Sequence, residues 1–270
     1  TVKYKFKPTR RGNLTNFATV TSFDNNSFTS NEVEITPINC VDGMDVVFSI
    51  DYTGSMKGII NSVKSGVETL TNTLCALSLD NYRLALNTSD EITTGDASKI
   101  YNSNSDWANL PAEQKFFQYT GYKRGSRNGY FLLTTWSPLN ANNDDFVYRL
   151  NRLASEVRLG YGINSIPGDV SLQKIIDVNF AGVLRSNVAR YIIFITDTYL
   201  GTAGVFRSDN RARVDQVIAS AVNKGIKIFV IGPGVNRDGI WREIAESTGG
   251  SVNSSGDATS IINEITLSCQ

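Results

Sequence analysis

The sequence predicts an α/β fold: a doubly wound, mainly parallel sheet with helices between its strands, preceded by a small region of N-terminal β-strands. Three observations carry this. Short, nearly continuous apolar runs recur at Val46–Ile50, Tyr191–Thr196 and Ile226–Ile231, the pattern of strands buried on both faces. Amphipathic stripes of helical period separate those runs. Residues 1–38 lack such stripes and alternate apolar with polar residues, as in Val2-Lys3-Tyr4-Lys5-Phe6-Lys7.

In chain order, Val2–Lys7, Asn16–Ser22 and Asn31–Pro37 read as strands, with the turn-rich stretch Phe23–Ser27 between the last two. Three short strands bury too little surface to stand alone. Residues 1–40 are therefore expected to be a tether or part of a β-sandwich, and residues 41–270 an α/β domain. The run NFATVTSFDNNSFTSNEVEI resembles the closing strands of sandwich repeats in bacterial surface and fibre proteins. After the Val46–Ile50 strand, Ile59, Ile60, Val63, Val67, Leu70, Leu74 and Leu77 lie on one stripe and predict a helix over Gly58–Ser78. Tyr82–Leu86 and Tyr130–Trp136 read as strands, and Asp145–Val157 as a helix. Val214, Val217, Ile218, Ala221 and Val222 mark another helix, closed by Gly225 at C′. A helix at Gly239–Ser247, a strand at Ser251–Ser254 and a helix at Ala258–Leu267 follow. Residues 91–128 form a long insertion, whose Trp107, Phe116, Phe117, Tyr119 and Tyr122 are expected to pack as a local cluster or to form a recognition surface.

Composition removes several kinds of chemistry. The 270 residues contain no histidine, which excludes Ser-His-Asp and Cys-His catalysis and every His-ligated metal. Three cysteines without a CxxC pair do not make a structural zinc site. With 26 basic and 26 acidic residues the net charge is zero, so neither nucleic acid nor an anionic membrane is expected as a partner. No apolar run reaches the roughly 20 residues of a membrane helix. Charged residues make up 19% of the chain, while asparagine alone numbers 26. A surface solvated by amides and hydroxyls suits an extracellular, cell-surface or virion protein. The chain starts at Thr1 rather than Met, which is expected of a processed chain or one cut from a longer protein.

In parallel sheets ligands bind beyond the carboxyl ends of the strands, where the strand order reverses. Asp51-Tyr52-Thr53-Gly54-Ser55 follows the first buried strand, and Asp197 follows the second. Asp51, Thr53 and Ser55 alternate, so three oxygens can point one way from an extended turn. With Asp197 they predict an oxygen-only site for a hard divalent cation, Mg²⁺ or else Mn²⁺ or Ca²⁺.

These residues resemble the von Willebrand factor type A family with its metal-ion-dependent adhesion site. The family pattern is Asp-x-Ser/Thr-x-Ser after the first strand, a Thr or acidic residue on a middle loop, and an Asp after a later strand. DYTGS and ITDT match its first and last parts, and the resemblance spans roughly residues 43–269, including TTWSPLNANNDDFVYRLNRLA as third strand, loop and helix. The middle loop departs from the family, since Gly160–Asp169 contains no Thr; Asn164, Ser165 or Asp169 is left to fill that corner. Some extracellular members tie the domain ends with a disulfide, which here would join Cys40 to Cys269. Cys75 is expected to be a buried free thiol.

The resemblance implies an adhesion or assembly module without enzymatic activity, whose cation takes a carboxylate from a partner protein. The N-terminal strands would tether it to a stalk or to other subunits. Two alternatives remain open: a purely structural domain with a vestigial metal site, and an aspartyl-phosphate phosphotransferase. The second rests on the likeness of Asp51-Tyr52-Thr53-Gly54-Ser55 to Asp-Lys-Thr-Gly-Thr, with Asp51 as nucleophile.

Overall fold

A computed structural model describes residues 14–16, 19–21, 27–29, 33–35, 40–92, 109–111, 114, 117–119, 123–124, 127–128, 130–155, 165–166, 168–200, 208–233, 235 and 239–269. Its centre is a seven-stranded mixed sheet. The strands are β1 (Met44–Asp51), β2 (Tyr82–Ile92), β3 (Phe117–Tyr119), β4 (Tyr130–Asn140), β5 (Ala189–Ile195), β6 (Ile226–Ile231) and β7 (Val252–Asn253). Their order is β7-β6-β5-β1-β2-β4-β3. β1 runs parallel to both β2 and β5, and β6 runs parallel to β5 and β7, whereas β4 pairs antiparallel with β2 and β3. The mostly parallel α/β architecture expected from the apolar runs is therefore present. The order reverses beside β1: the chain leaves β1 for β2 on one side, while β5 occupies the other.

The helices are α1 (Lys57–Ser65), α2 (Val67–Ser78), α3 (Asn143–Ser155), α4 (Gly168–Asn179), α5 (Ser208–Asn223), α6 (Ile240–Ser247) and α7 (Ala258–Ser268). Alternation along β1 divides the buried side chains into two apolar clusters. Val46, Phe48 and Ile50 pack with Ile60, Leu70, Phe146, Leu150 and Ile261 of α1, α2, α3 and α7. Val47 packs in a second cluster with Leu172 and Ile175 of α4, Val217 of α5, and Trp241 of α6. Every residue of β1 is buried, as a strand covered on both faces requires.

Several boundaries differ from expectation. The single helix expected over Gly58–Ser78 breaks at Gly66 into α1 and α2. α7 passes close to the break: a Cβ on Gly66 would lie 2.2 Å from the Cβ of Ala258, so glycine is required there. β2 and β4 run to Ile92 and Asn140, beyond their expected ends, because they pair with each other from Tyr130↔Ile92 onward. α4 has no clear sequence signature, since Gly168 to Leu172 are all buried and leave its first turns without a polar face. Gly225 adopts φ +63° just past α5, as expected at C′.

Near the N-terminus, Leu14–Asn16 pairs antiparallel with Val33–Ile35, and Thr19–Thr21 with Ser27–Thr29. The expected strand Val2–Lys7 and the side chains of the aromatic insertion lie outside the described residues. The expected disulfide forms: Cys40 and Cys269 are bonded across a sequence separation of 229. Cys75 is free but only half-buried, which corrects the expectation of a fully buried thiol. No helix among the described residues is long and apolar enough to cross a membrane.

Candidate functional site

Asp51 is the last residue of β1 and has no exposed surface. The parallel register places Ile50 opposite Ile195, so Thr196, the first residue past β5, comes beside Asp51. The Thr196 hydroxyl donates to Asp51 Oδ2 at 2.8 Å, and the Thr198 hydroxyl lies 3.4 Å from the same oxygen. Oδ1 accepts the Thr53 backbone N–H at 3.0 Å, so Asp51 holds its own loop rather than capping α1. Both carboxylate oxygens therefore face hydroxyl or amide donors, and no cationic side chain among the described residues bonds to them.

The loop after β1 is built to expose hydroxyls. Tyr52 is buried and its phenol donates to the Leu153 carbonyl of α3 at 3.2 Å, while its backbone N–H reaches the Ser89 carbonyl of β2. Thr53 follows in an extended conformation (φ −73°, ψ 159°) and makes no capping bond to the short 3₁₀ turn Gly54–Met56. Its Oγ1 instead lies 3.3 Å from Ser55 Oγ. Ser55 is exposed, so the pair opens toward solvent.

Asp197 completes the arrangement. It is half-buried, and its Oδ1 is buried without a hydrogen-bond partner among the described residues. Burial pushes the Asp51 carboxyl up from 3.8 to about 6 against the pull of its hydrogen bonds, and the negative charge of Asp197 adds to the rise. Two carboxylates thus share a corner without a positive group between them among the described residues. An orphaned buried carboxylate oxygen, a second buried carboxylate and a hydroxyl pair fit a hard cation. No group of three or more acidic or cysteine side chains suited to a metal occurs among the described residues. Any cation here would rest on two carboxylates and on hydroxyl oxygens.

The middle-loop candidates are distributed unevenly. Asn164 lies outside the described residues. Ser165, whose backbone alone is described, pairs in a parallel ladder with Tyr199, and Ile166 with Leu200. That ladder laces the middle loop to the segment just after Asp197. Asp169 is fully buried in the first turn of α4, where its Oδ2 accepts from Arg213 Nε of α5 at 2.7 Å. Two residues on, Ser171 Oγ lies 2.6 Å from the Oγ of Ser89, the register partner of Asp51.

Sequence reasoning missed Thr196 and Thr198. Their signal was available in the Thr-Asp-Thr run, whose hydroxyls alternate as those of Thr53 and Ser55 do. It also missed Trp241, whose Nε1–H donates to the Thr198 carbonyl at 2.9 Å; nothing in the local sequence marks that contact. No protein-family model matches the chain, and no curated protein sequence matches it either.

Proposed function

We propose that this chain is a metal-dependent protein-binding module of the von Willebrand factor A type, with a doubly wound sheet and an adhesion site at the Asp51–Asp197 corner. The observation that carries the reading is the pair of carboxylates left uncompensated where the strand order reverses. Asp51, Thr53, Ser55 and Asp197 are the residues that would hold the cation, with Ser165, Asp169 or Asn164 as the source of a further ligand. Mg²⁺ suits so few carboxylates, with Mn²⁺ or Ca²⁺ as substitutes. Bound there, the cation supplies an electropositive position for a carboxylate oxygen of a partner protein. The Cys40–Cys269 disulfide supports an oxidising, extracellular, cell-surface or virion setting.

The test is calorimetric titration of the full chain with Mg²⁺, Mn²⁺ and Ca²⁺, repeated with Asp51→Ala and Asp197→Asn, followed by binding of a glutamate-bearing peptide with and without the metal. Saturable uptake lost in both variants, and peptide binding that needs the metal, are expected. Unchanged uptake by variants whose circular dichroism matches the parent would refute the assignment.

A purely structural domain is the second reading, favoured by the hydrogen bonds that already occupy both Asp51 oxygens. It predicts no uptake even at millimolar metal. Phosphoryl transfer has less support, because a nucleophilic carboxylate needs an accessible oxygen and Asp51 exposes no surface.

A further inference from the structure

We infer that Trp241 is a positioning residue for the Asp51–Asp197 site, an assignment that rests on the cation-binding reading above. Trp241 stands in the first turn of α6 and is fully buried. Its indole touches both the segment after β5, which borders Asp51, and the start of α4. On one side Nε1–H donates to the Thr198 carbonyl, whose residue also presents its hydroxyl to Asp51 Oδ2. On the other, the six-membered ring closes over Gly168, where a Cβ would lie 2.1 Å from Cη2. Gly168 opens α4, which carries Asp169 and Ser171. The ring also packs on Phe194 of β5, with centroids 5.1 Å apart.

The physical role follows from hydrogen-bond accounting. Thr198 lies between Thr196, whose N–H still reaches the Ile231 carbonyl, and the ladder that begins at Tyr199, and its own carbonyl, buried in the core, takes the Trp241 N–H as partner. An indole N–H is a donor only, so its pairing with that carbonyl fixes one orientation of the peptide plane. That plane joins Thr198 to Tyr199, so holding it fixes the Thr198 backbone from which the hydroxyl reaches toward Asp51 Oδ2. Gly168 is the one residue type that lets the same ring seat against the start of α4. Trp241 thus braces the 196–198 segment against the start of α4, beside the backbone ladder that joins Ser165 to Tyr199 and Ile166 to Leu200. Groups that orient metal ligands without touching the metal change affinity by about 10–100-fold when removed.

Trp136 supplies a matched control. It is also buried and donates Nε1–H to Thr88 Oγ1 at 2.8 Å, but it packs in the other apolar cluster. Mg²⁺ titration of the full chain, Trp241→Phe and Trp136→Phe separates the roles. Trp241→Phe is expected to weaken Mg²⁺ about tenfold or more, with Trp136→Phe within about twofold of the parent. Equal affinity of Trp241→Phe and parent, or equal losses in both variants, overturns the assignment. A parent chain that takes up neither Mg²⁺ nor Mn²⁺ instead sinks the cation reading, and this assignment with it. Should Trp241→Phe fail to fold, a Trp107→Phe/Trp136→Phe chain leaves Trp241 as the sole indole. Its emission is expected to change saturably with Mg²⁺ and to stop responding after Asp197→Asn. Flat emission in a chain shown by calorimetry to bind Mg²⁺ overturns the assignment.

Discussion

β1 carries a buried aspartate at each end, and the two are treated in opposite ways. At the amino end, Asp45 is 1% exposed and clasped by two guanidiniums: Arg83 donates Nε to Oδ1 at 2.8 Å and Nη2 to Oδ2 at 2.6 Å, and Arg185 Nη2 reaches Oδ1 at 2.5 Å. Arg185 also bonds the Met44 carbonyl and Asn81, and Arg190 donates to the carbonyls of Lys224 and Arg185. The protein neutralises that charge itself and uses it to knit strands and loops. At the carboxyl end, Asp51 is equally buried but meets hydroxyls, one N–H and a second carboxylate. The same residue type on one strand is a fastener at one edge and, at the other, a carboxylate without a cationic partner among the described residues. In parallel α/β sheets ligands bind beyond the carboxyl ends of the strands, so the contrast sets a stabilising amino edge against the carboxyl edge where the cation site is proposed.

The largest expected effect lies at the fastened edge. Cys40 precedes β1 and is bonded to Cys269 at the end of α7, with Tyr191 Oη 3.1 Å from Cys40 Sγ. Closing a loop with a separation of 229 residues contributes about 5 kcal/mol in the chain-entropy model. Reduction, or the Cys40→Ser/Cys269→Ser pair, is expected to lower the unfolding free energy read from urea denaturation by that order while Mg²⁺ affinity stays unchanged. A joint loss of stability and affinity would break the division between the edges.

Asp45→Asn is next. It leaves Arg83 and Arg185 without their carboxylate, and breaking a buried pair costs about 3–5 kcal/mol. The low end applies, since the guanidiniums keep 32% and 26% of their surface in solvent. Asp51→Asn is the sharp contrast: in metal-free buffer it removes a repelled, desolvated charge and is expected to leave stability equal or higher, while abolishing Mg²⁺ uptake. Urea denaturation of the two variants side by side, without metal, reads the sign directly.

The pH dependence sharpens the same point. Folding raises the Asp51 carboxyl from 3.8 to about 6, so between those values the folded chain holds a proton that the unfolded chain has lost. Metal-free stability from this group is therefore fully present below pH 3.8 and falls away as pH rises through about 6. The shift is equivalent to at most about 3 kcal/mol. Asp51→Asn removes that component of the slope. Mg²⁺ requires the ionised carboxylate, so its affinity is expected to weaken as pH drops below about 6. A parent and Asp51→Asn with superimposable pH–stability curves would contradict an uncompensated Asp51.

The sheet was legible because buried parallel strands announce themselves as apolar runs, and Asp51 and Asp197 were legible as the first charges after two of them. α4 was hidden because its opening turns are buried on every side and show no amphipathic stripe. The need for glycine at position 66 was hidden because Ala258, which packs against it, lies nearly the whole domain away in sequence. Ser89, Ser171 and Trp241 belong to the same class: each borders the site through strand register or helix packing, which a single sequence does not encode locally. The Asp45 clasp escaped notice for a related reason, since Arg83 and Arg185 are brought to it only by the β1–β2 register and the turn before β5.

The smallest expected effect tests how finely the carboxyl edge is tuned. Thr196 and Thr198 both address Asp51 Oδ2, but at 2.8 Å and 3.4 Å respectively. An O–H···O bond is effective to about 3.0 Å, so Thr196 supplies the stronger bond and Thr198 a marginal one. Valine matches the shape of threonine and deletes only the hydroxyl. Thr196→Val is expected to cost about 1 kcal/mol of metal-free stability and to weaken Mg²⁺ several-fold, because ionised Asp51 loses its best donor. Thr198→Val is expected to change stability by less than Thr196→Val, since its hydroxyl is also 3.0 Å from Thr196 Oγ1 and the backbone contact to Trp241 remains. The order of the two losses is the measurement. If Thr198→Val cost more, the hydroxyl at position 198 would be acting on the site directly rather than through Thr196, and Asp51 would depend on the Asp197 loop more than on the end of β5.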